Sequence, residues 1–195
     1  MAQFRLKKLK YSALFPNTHV FGFEEIMENL QLEVKKIEGA SIQGLIKAAA
    51  MIREDTEKSS PSTPVDLGNL RSSWFVTTAK KVIPSDKFST GFKNVTIKEG
   101  SKGSQKISTT AARMATDHVA AVAENKARCV SAAAVGRIML VMGYSAHYAV
   151  YVHENVDAKF KRKDPPAGAK WFQEAVYRNR DKVLDVIRKN VIIMK

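Results

Sequence analysis

One long amphipathic stretch constrains this chain more than anything else in it. Between residues 23 and 57, Phe23, Met27, Leu30, Val34, Ile37, Leu45, Ala48 and Ile52 fall at three- and four-residue steps. That spacing puts them on one face of a helix. Ser41 stands where the stripe would otherwise continue, and Gly39 with Gly44 permits a bend or break. Unbroken, the helix reaches on the order of 50 Å. This is long for a globular core.

The remaining elements follow in order. Residues 1–22 form a basic arm in which Arg5, Lys7, Lys8 and Lys10 alternate with Phe4, Leu6, Leu9 and Tyr11. It reads either as a strand that pairs with a partner or as a mobile terminus. Residues 59–64 read as a plain linker. Asp66 is placed to cap a single helical turn through Leu70 and Arg71. Residues 74–83, rich in β-branched and aromatic side chains, predict a strand. Residues 84–87 predict a turn, and 88–98 the second arm of a hairpin with a bulge at Gly91. Residues 100–103 predict a flexible polar turn. An Ala-rich helix is expected over 108–134, with Ala111, Met114, Ala115, Val119, Val122 and Ala123 inward. A buried strand is expected over 135–143, a short helix or a strand over 146–154, and a final helix over 167–190 facing inward through Phe172, Ala175, Val176, Val183, Val186 and Ile187. Residues 23–195 therefore read as a single domain that mixes helices and strands.

Charge narrows the function. The 195 residues hold 32 Lys and Arg against 19 Asp and Glu, a net +13. Residues 23–58 hold eight acidic and five basic groups, a net of −3, which leaves +16 on everything else. Such polarity suits a subunit that meets an unlike surface, be it a neighbour or DNA. The segment 80–106 carries Lys80, Lys81, Lys87, Lys93, Lys98, Lys102 and Lys106 with Phe88 and Phe92 between them, but no Arg. Lysine suits non-specific phosphate contact, and arginine is the usual bidentate reader of bases. A non-specific DNA-binding protein is accordingly the rival reading.

Catalytic and metal chemistry finds little support in the residue pattern. The single cysteine, Cys129, excludes an internal disulfide and a cysteine-based zinc site. Its Ala-rich surroundings predict an inert buried thiol. His147 and His153 are six apart, off the i, i+4 spacing of one helix face, so a site built from them with Glu154 is a formal option only. Residues 100–104 lack the phosphate-loop pattern. The apolar runs are too short to span a bilayer, and residues 1–10 lack the apolar core of a secretory signal. No cofactor, metal or membrane partner is expected.

Three stretches remain, in fixed order: Asp66-Leu67-Gly68-Asn69-Leu70-Arg71-Ser72-Ser73-Trp74; a strand ending Val141-Met142-Gly143 followed by Tyr144 and Tyr148-Ala149-Val150-Tyr151-Val152-His153-Glu154; and Pro165-Pro166-Ala167-Gly168-Ala169-Lys170-Trp171-Phe172 leading into the last helix. Together these resemble the neck, or head–tail joining (tail-completion), family of long-tailed bacteriophages. The likeness covers 23–83 and 137–190, and against it 23–195 is a single α+β domain in which 84–136 is an elaborated, basic insertion. It departs in having His153 between Val152 and Glu154, and in lacking Pro directly before Trp171-Phe172. The resemblance implies an α+β fold with a small, mainly antiparallel sheet packed on the long N-terminal helix and the C-terminal helix. It implies a structural, non-enzymatic virion protein, made in the host cytoplasm and built into the neck. There it would form a sixfold or twelvefold ring around the DNA channel, touching portal-side, neck and tail-terminator proteins. It also implies interface roles for Leu70, Arg71, Tyr144, Tyr148, Tyr151 and Glu154. Leu70 would plug the core and Arg71 would meet a carboxylate or a neighbour, while Trp74 and Trp171 are core. Lys87, Lys93, Lys98, Lys102 and Lys106 would face passing DNA.

Overall fold

A computed structural model describes residues 23–65, 68–80, 82–83, 91–96, 108–160 and 163–192. The long stripe forms one unbroken helix, α1 (Phe23–Lys58). Gly44 does not bend it. A Cβ there would stand 3.1 Å from the Ile187 backbone, so this glycine lets the last helix approach closely. A single helical turn, α2 (Asn69–Ser72), leads into β1 (Trp74–Thr78). Its cap position is Gly68, in the left-handed region at φ 85° with no capping side chain, and Asp66 lies outside the described residues.

The 74–83 stretch is not one strand. It folds back on itself as β1 and β2 (Val82–Ile83), with Val76 opposite Ile83. The expected second hairpin arm pairs elsewhere: β3 (Val95–Thr96) joins β4 (Ser108–Thr109) in a separate two-stranded ribbon. The other neighbour of β1 is β5 (Leu140–Tyr144), antiparallel, with Trp74 opposite Tyr144 and Thr78 opposite Leu140. The sheet order is thus β2-β1-β5. A central strand is covered on both faces and an edge strand is not. Every residue of β1 is buried, whereas β5, expected to be buried, is half-buried throughout.

Helices lie on both faces of β1. Trp74 and Val76 point to α1 and form a cluster with Ala49. Phe75 and Thr77, of opposite parity, point to α3 (Ala111–Ala134), where Phe75 meets the His118 ring and the Cys129 thiol donates to the Thr77 carbonyl oxygen. The inward face of α3 runs through Met114, His118, Asn125 and Cys129, turned roughly 60° from the expected stripe. Val119 is consequently exposed. Two of the inward positions are polar and satisfied, His118 by Ser145 and Asn125 by the Ala121 carbonyl; of the expected stripe Met114 is buried and Ala111 and Val122 are half-buried, while Ala115, Val119 and Ala123 are exposed. The segment 84–136 therefore supplies a layer of the core through α3. A short helix, α4 (Ala149–Glu154), follows β5. The last helix, α5 (Trp171–Ile192), runs back along α1, tied by Arg178 to Asp55 at 2.7 Å and by Lys47 to Asn190 at 2.6 Å. Of its expected stripe, Ala175 is buried and Val176 is exposed. The fold is α+β: a small antiparallel sheet on a long N-terminal helix and a C-terminal helix, as the sequence implies.

Candidate interface site

The three stretches, far apart in sequence, meet in one cluster. Leu70, Ala146, Ala149 and Trp171 are buried together, with Tyr144, Tyr148, Val152 and Phe172 packed around them. Trp171 is 1% exposed, edge-on to the Tyr144 ring at 6.0 Å and to the His153 ring at 4.8 Å. Both tryptophans are core, as expected. Each stretch is held by its own polar groups. Asn69 clamps the backbone of Lys93 with two hydrogen bonds, donating to its carbonyl oxygen at 2.8 Å and accepting from its N–H at 2.7 Å. Ser73 donates to the Leu70 carbonyl, and its own carbonyl oxygen accepts from the Ser145 N–H at 2.8 Å.

Beneath the cluster lies a charged knot that sequence reasoning missed. Arg53 is 2% exposed; it donates to the Tyr144 hydroxyl at 2.8 Å and to the Arg71 carbonyl oxygen at 3.3 Å. It also lies over the Trp74 and Tyr144 rings and pairs with Glu57 at 3.0 Å. Arg71 meets the same carboxylate, so the acidic partner expected for it is Glu57 of its own chain. Two guanidiniums thus share one carboxylate, Arg53 buried and Arg71 half-buried, and each fixes the orientation of the other. The available signal was the four-residue step from Arg53 to Glu57 at the buried end of the stripe. Charge on a helix reads first as a solvated face, which hid it.

Residues 59–64 are no plain linker. Ser62 and Thr63 are fully buried. Ser62 bridges to Ala167 and donates its hydroxyl to the Pro165 carbonyl, and Thr63 donates its N–H and hydroxyl to the Thr56 carbonyl. The Tyr144 hydroxyl sits 3.1 Å from the Thr63 hydroxyl. Gly168 lies against Pro61; a Cβ there would come within 2.8 Å of the proline ring. The segment thus straps the third stretch to the end of α1.

The six expected interface residues separate by environment. Leu70 plugs the core. Tyr144 and Tyr148 turn inward onto it, and Arg71 turns to Glu57. Tyr151 is 77% exposed and Glu154 is exposed beside it. Hydrogen bonds from Lys170 and then His153 hold the Glu154 carboxyl below the usual carboxylate range. His147 lies edge-on to Tyr148, whereas His153 turns to Glu154 at 2.7 Å. Among the described residues, no group of three His, Cys, Asp or Glu side chains is placed to hold a metal ion, and no helix is long and apolar enough to cross a membrane. Of the lysines expected at DNA, Lys93 is exposed with its backbone clamped by Asn69. Lys87, Lys98, Lys102 and Lys106 lie outside the described residues, as do residues 1–22.

The site is therefore a packed cluster roofed by a short helix with one exposed face, on an α+β frame. Comparison with protein-family models, curated proteins and solved structures finds no match.

Proposed function

We propose that the chain is a structural subunit of the phage neck, part of a ring that joins the DNA-filled head to the tail. One observation carries the reading: the three stretches on which the family resemblance rests converge on a single cluster, centred on Leu70, Ala149 and Trp171. Unrelated short matches have no reason to meet in space. The charged knot of Arg53, Glu57 and Arg71 beneath it fixes the cluster to the long helix, as suits a part whose task is geometry. The net charge of +13 suits a ring around DNA, making sequence-independent contact with phosphate. Portal-side proteins, other neck proteins and the tail terminator would be its neighbours.

Electron microscopy of particles made without this coding sequence tests the proposal. Filled heads and finished tails lying apart are the expected result. Normally joined particles would overturn it and promote the rival, non-specific DNA binding through 80–106. That rival predicts tight DNA binding by the isolated chain, weakening steeply with salt.

A further inference from the structure

The outer edge of β5 carries a row of backbone groups that no described residue pairs. In the sheet order β2-β1-β5 this strand has one neighbour, β1. The Ser145 N–H donates to the Ser73 carbonyl oxygen directly opposite, so the ladder bonds fall between Phe75 and Gly143 and between Thr77 and Val141. The alternate residues Leu140, Met142 and Tyr144 therefore turn their N–H and C=O groups away from β1. Among the described residues, none of these backbone groups has a hydrogen-bond partner.

An open edge pairs with any strand that reaches it, and natural edge strands are kept short or carry a lysine, a proline or an inward-pointing charge. The strands β2, β3 and β4 have two residues each. β5 has five, Leu140-Val141-Met142-Gly143-Tyr144, without a charge or a proline. All five are half-buried, so water reaches this backbone only in part. Polar groups in that position call for a partner strand.

The same chain holds a segment of fitting length, direction and pattern. β5 runs beside α1 in the same sense: Met139, just before it, lines one cleft with Ile42, and Tyr144 at its end reaches Arg53. A segment that passes from Tyr144 toward Leu140 and on to Phe23, where α1 starts, is antiparallel to β5. Residues 1–22 lie outside the described residues and lead to Phe23. Along α1 the level of Ile42 is about 28 Å from Phe23, and residues 9–22 reach about 46 Å when extended. No proline precedes Pro16, and Phe4-Arg5-Leu6-Lys7 alternates with the two-residue period of a strand.

We propose that residues 4–8 add to this sheet as a fourth strand, antiparallel to β5, with Leu6 opposite Met142. Phe4 and Leu6 then lie beside Tyr144 and Met142 on the α1 side, with Arg5 and Lys7 on the other. A slip of one residue would exchange the two sets, so the apolar pairs fix the register. Backbone pairing and these apolar pairs hold the strand. Charge does not: the described charged groups around the Leu140 end are Lys80, Arg137 and Glu38, two cations and one carboxylate. The arm is thereby part of the fold of the single chain, independently of the neck reading.

Amide hydrogen exchange of the full chain, followed residue by residue by NMR at low concentration, tests this against Leu6→Pro. The proline removes the N–H that faces the Met142 carbonyl. In the wild-type chain the amides of Met142 and Tyr144 are expected to be protected, as are those of Val141 and Gly143. In Leu6→Pro the first two should exchange about tenfold faster or more, while Val141 and Gly143, which bond to β1, keep their rates and show that the fold is intact. Free exchange at Met142 and Tyr144 in the wild-type chain overturns the proposal, and so does protection there that survives Leu6→Pro. Protection that arises only as concentration is raised would bring the strand from another molecule, which overturns it too.

Discussion

At the scale of single residues, the polar groups that decide this structure are buried and shared. Arg53 serves Glu57, the Tyr144 hydroxyl and the Arg71 carbonyl at once. Truncation to alanine would leave Glu57 desolvated with half its compensation gone. We expect Arg53→Ala to cost about 3 kcal/mol, read as a drop in the urea midpoint; a loss within the range of surface substitutions would mean the knot is not coupled to folding. His118 gives a pH signature. Burial between α3 and β1 lowers its pKa, against a smaller opposing pull from the Ser73 carbonyl, and its Nδ1 lies 2.8 Å from the Ser145 hydroxyl. The unfolded chain therefore takes up this proton more readily than the folded one, and stability rises with pH across the interval. The contribution is complete above the ordinary imidazole value near 6.5 and is lost as pH falls below it. His118→Gln should flatten that slope in thermal melts between pH 5 and 7; an unchanged slope would assign it to other groups. Neither role was legible in the sequence. A histidine or arginine declares its chemistry by type, but whether it is dry depends on residues distant in the chain.

At the scale of elements, existence and type were largely readable, and facing and pairing were not. Periodicity located α1, α3 and α5 because every helix obeys the same 3.6-residue repeat. It misjudged the inward face of α3, where His118 and Asn125 occupy core positions. It also merged β1 with β2, since a run of strand-forming residues does not say where it folds back. Two substitutions probe element ends. Thr110 caps α3 by accepting from the Arg113 N–H at 3.2 Å. Thr110→Ala should cost about 1 kcal/mol, with Thr110→Ser restoring most of it in the same denaturation assay. At Gly168 a methyl group would press on the Pro61 ring, which cannot swing aside. Gly168→Ala should cost about 1–3 kcal/mol, whereas Gly39→Ala, where nothing lies within 4 Å, should be neutral or slightly stabilising. Equal effects at the two glycines would refute the close approach of Pro61. Residues 59–64 escaped notice because Ser, Thr and Pro read as linker by composition, while their burial follows from the strap to Pro165 and Ala167.

At the scale of the whole molecule, the rod-like α1 has two unequal halves. Hydrogen exchange on the dilute chain should find amides in 25–37 exchanging far faster than those in 45–57, because among the described residues only the second half is held by tertiary contacts. The sequence by itself determined the long helix, the mixture of helices and strands, the polarity of charge and the order of the three short stretches. These are local or additive properties, written in periodicity and composition. The tertiary structure alone decided that the three stretches form one cluster and that Tyr144 faces in while Tyr151 faces out. It also decided that Arg71 is taken by Glu57 of the same chain and that α5 packs along the second half of α1. Each of these depends on which distant segments come within a few ångströms of one another. Burial and charge pairing arise only from that proximity, and no window along the chain contains it.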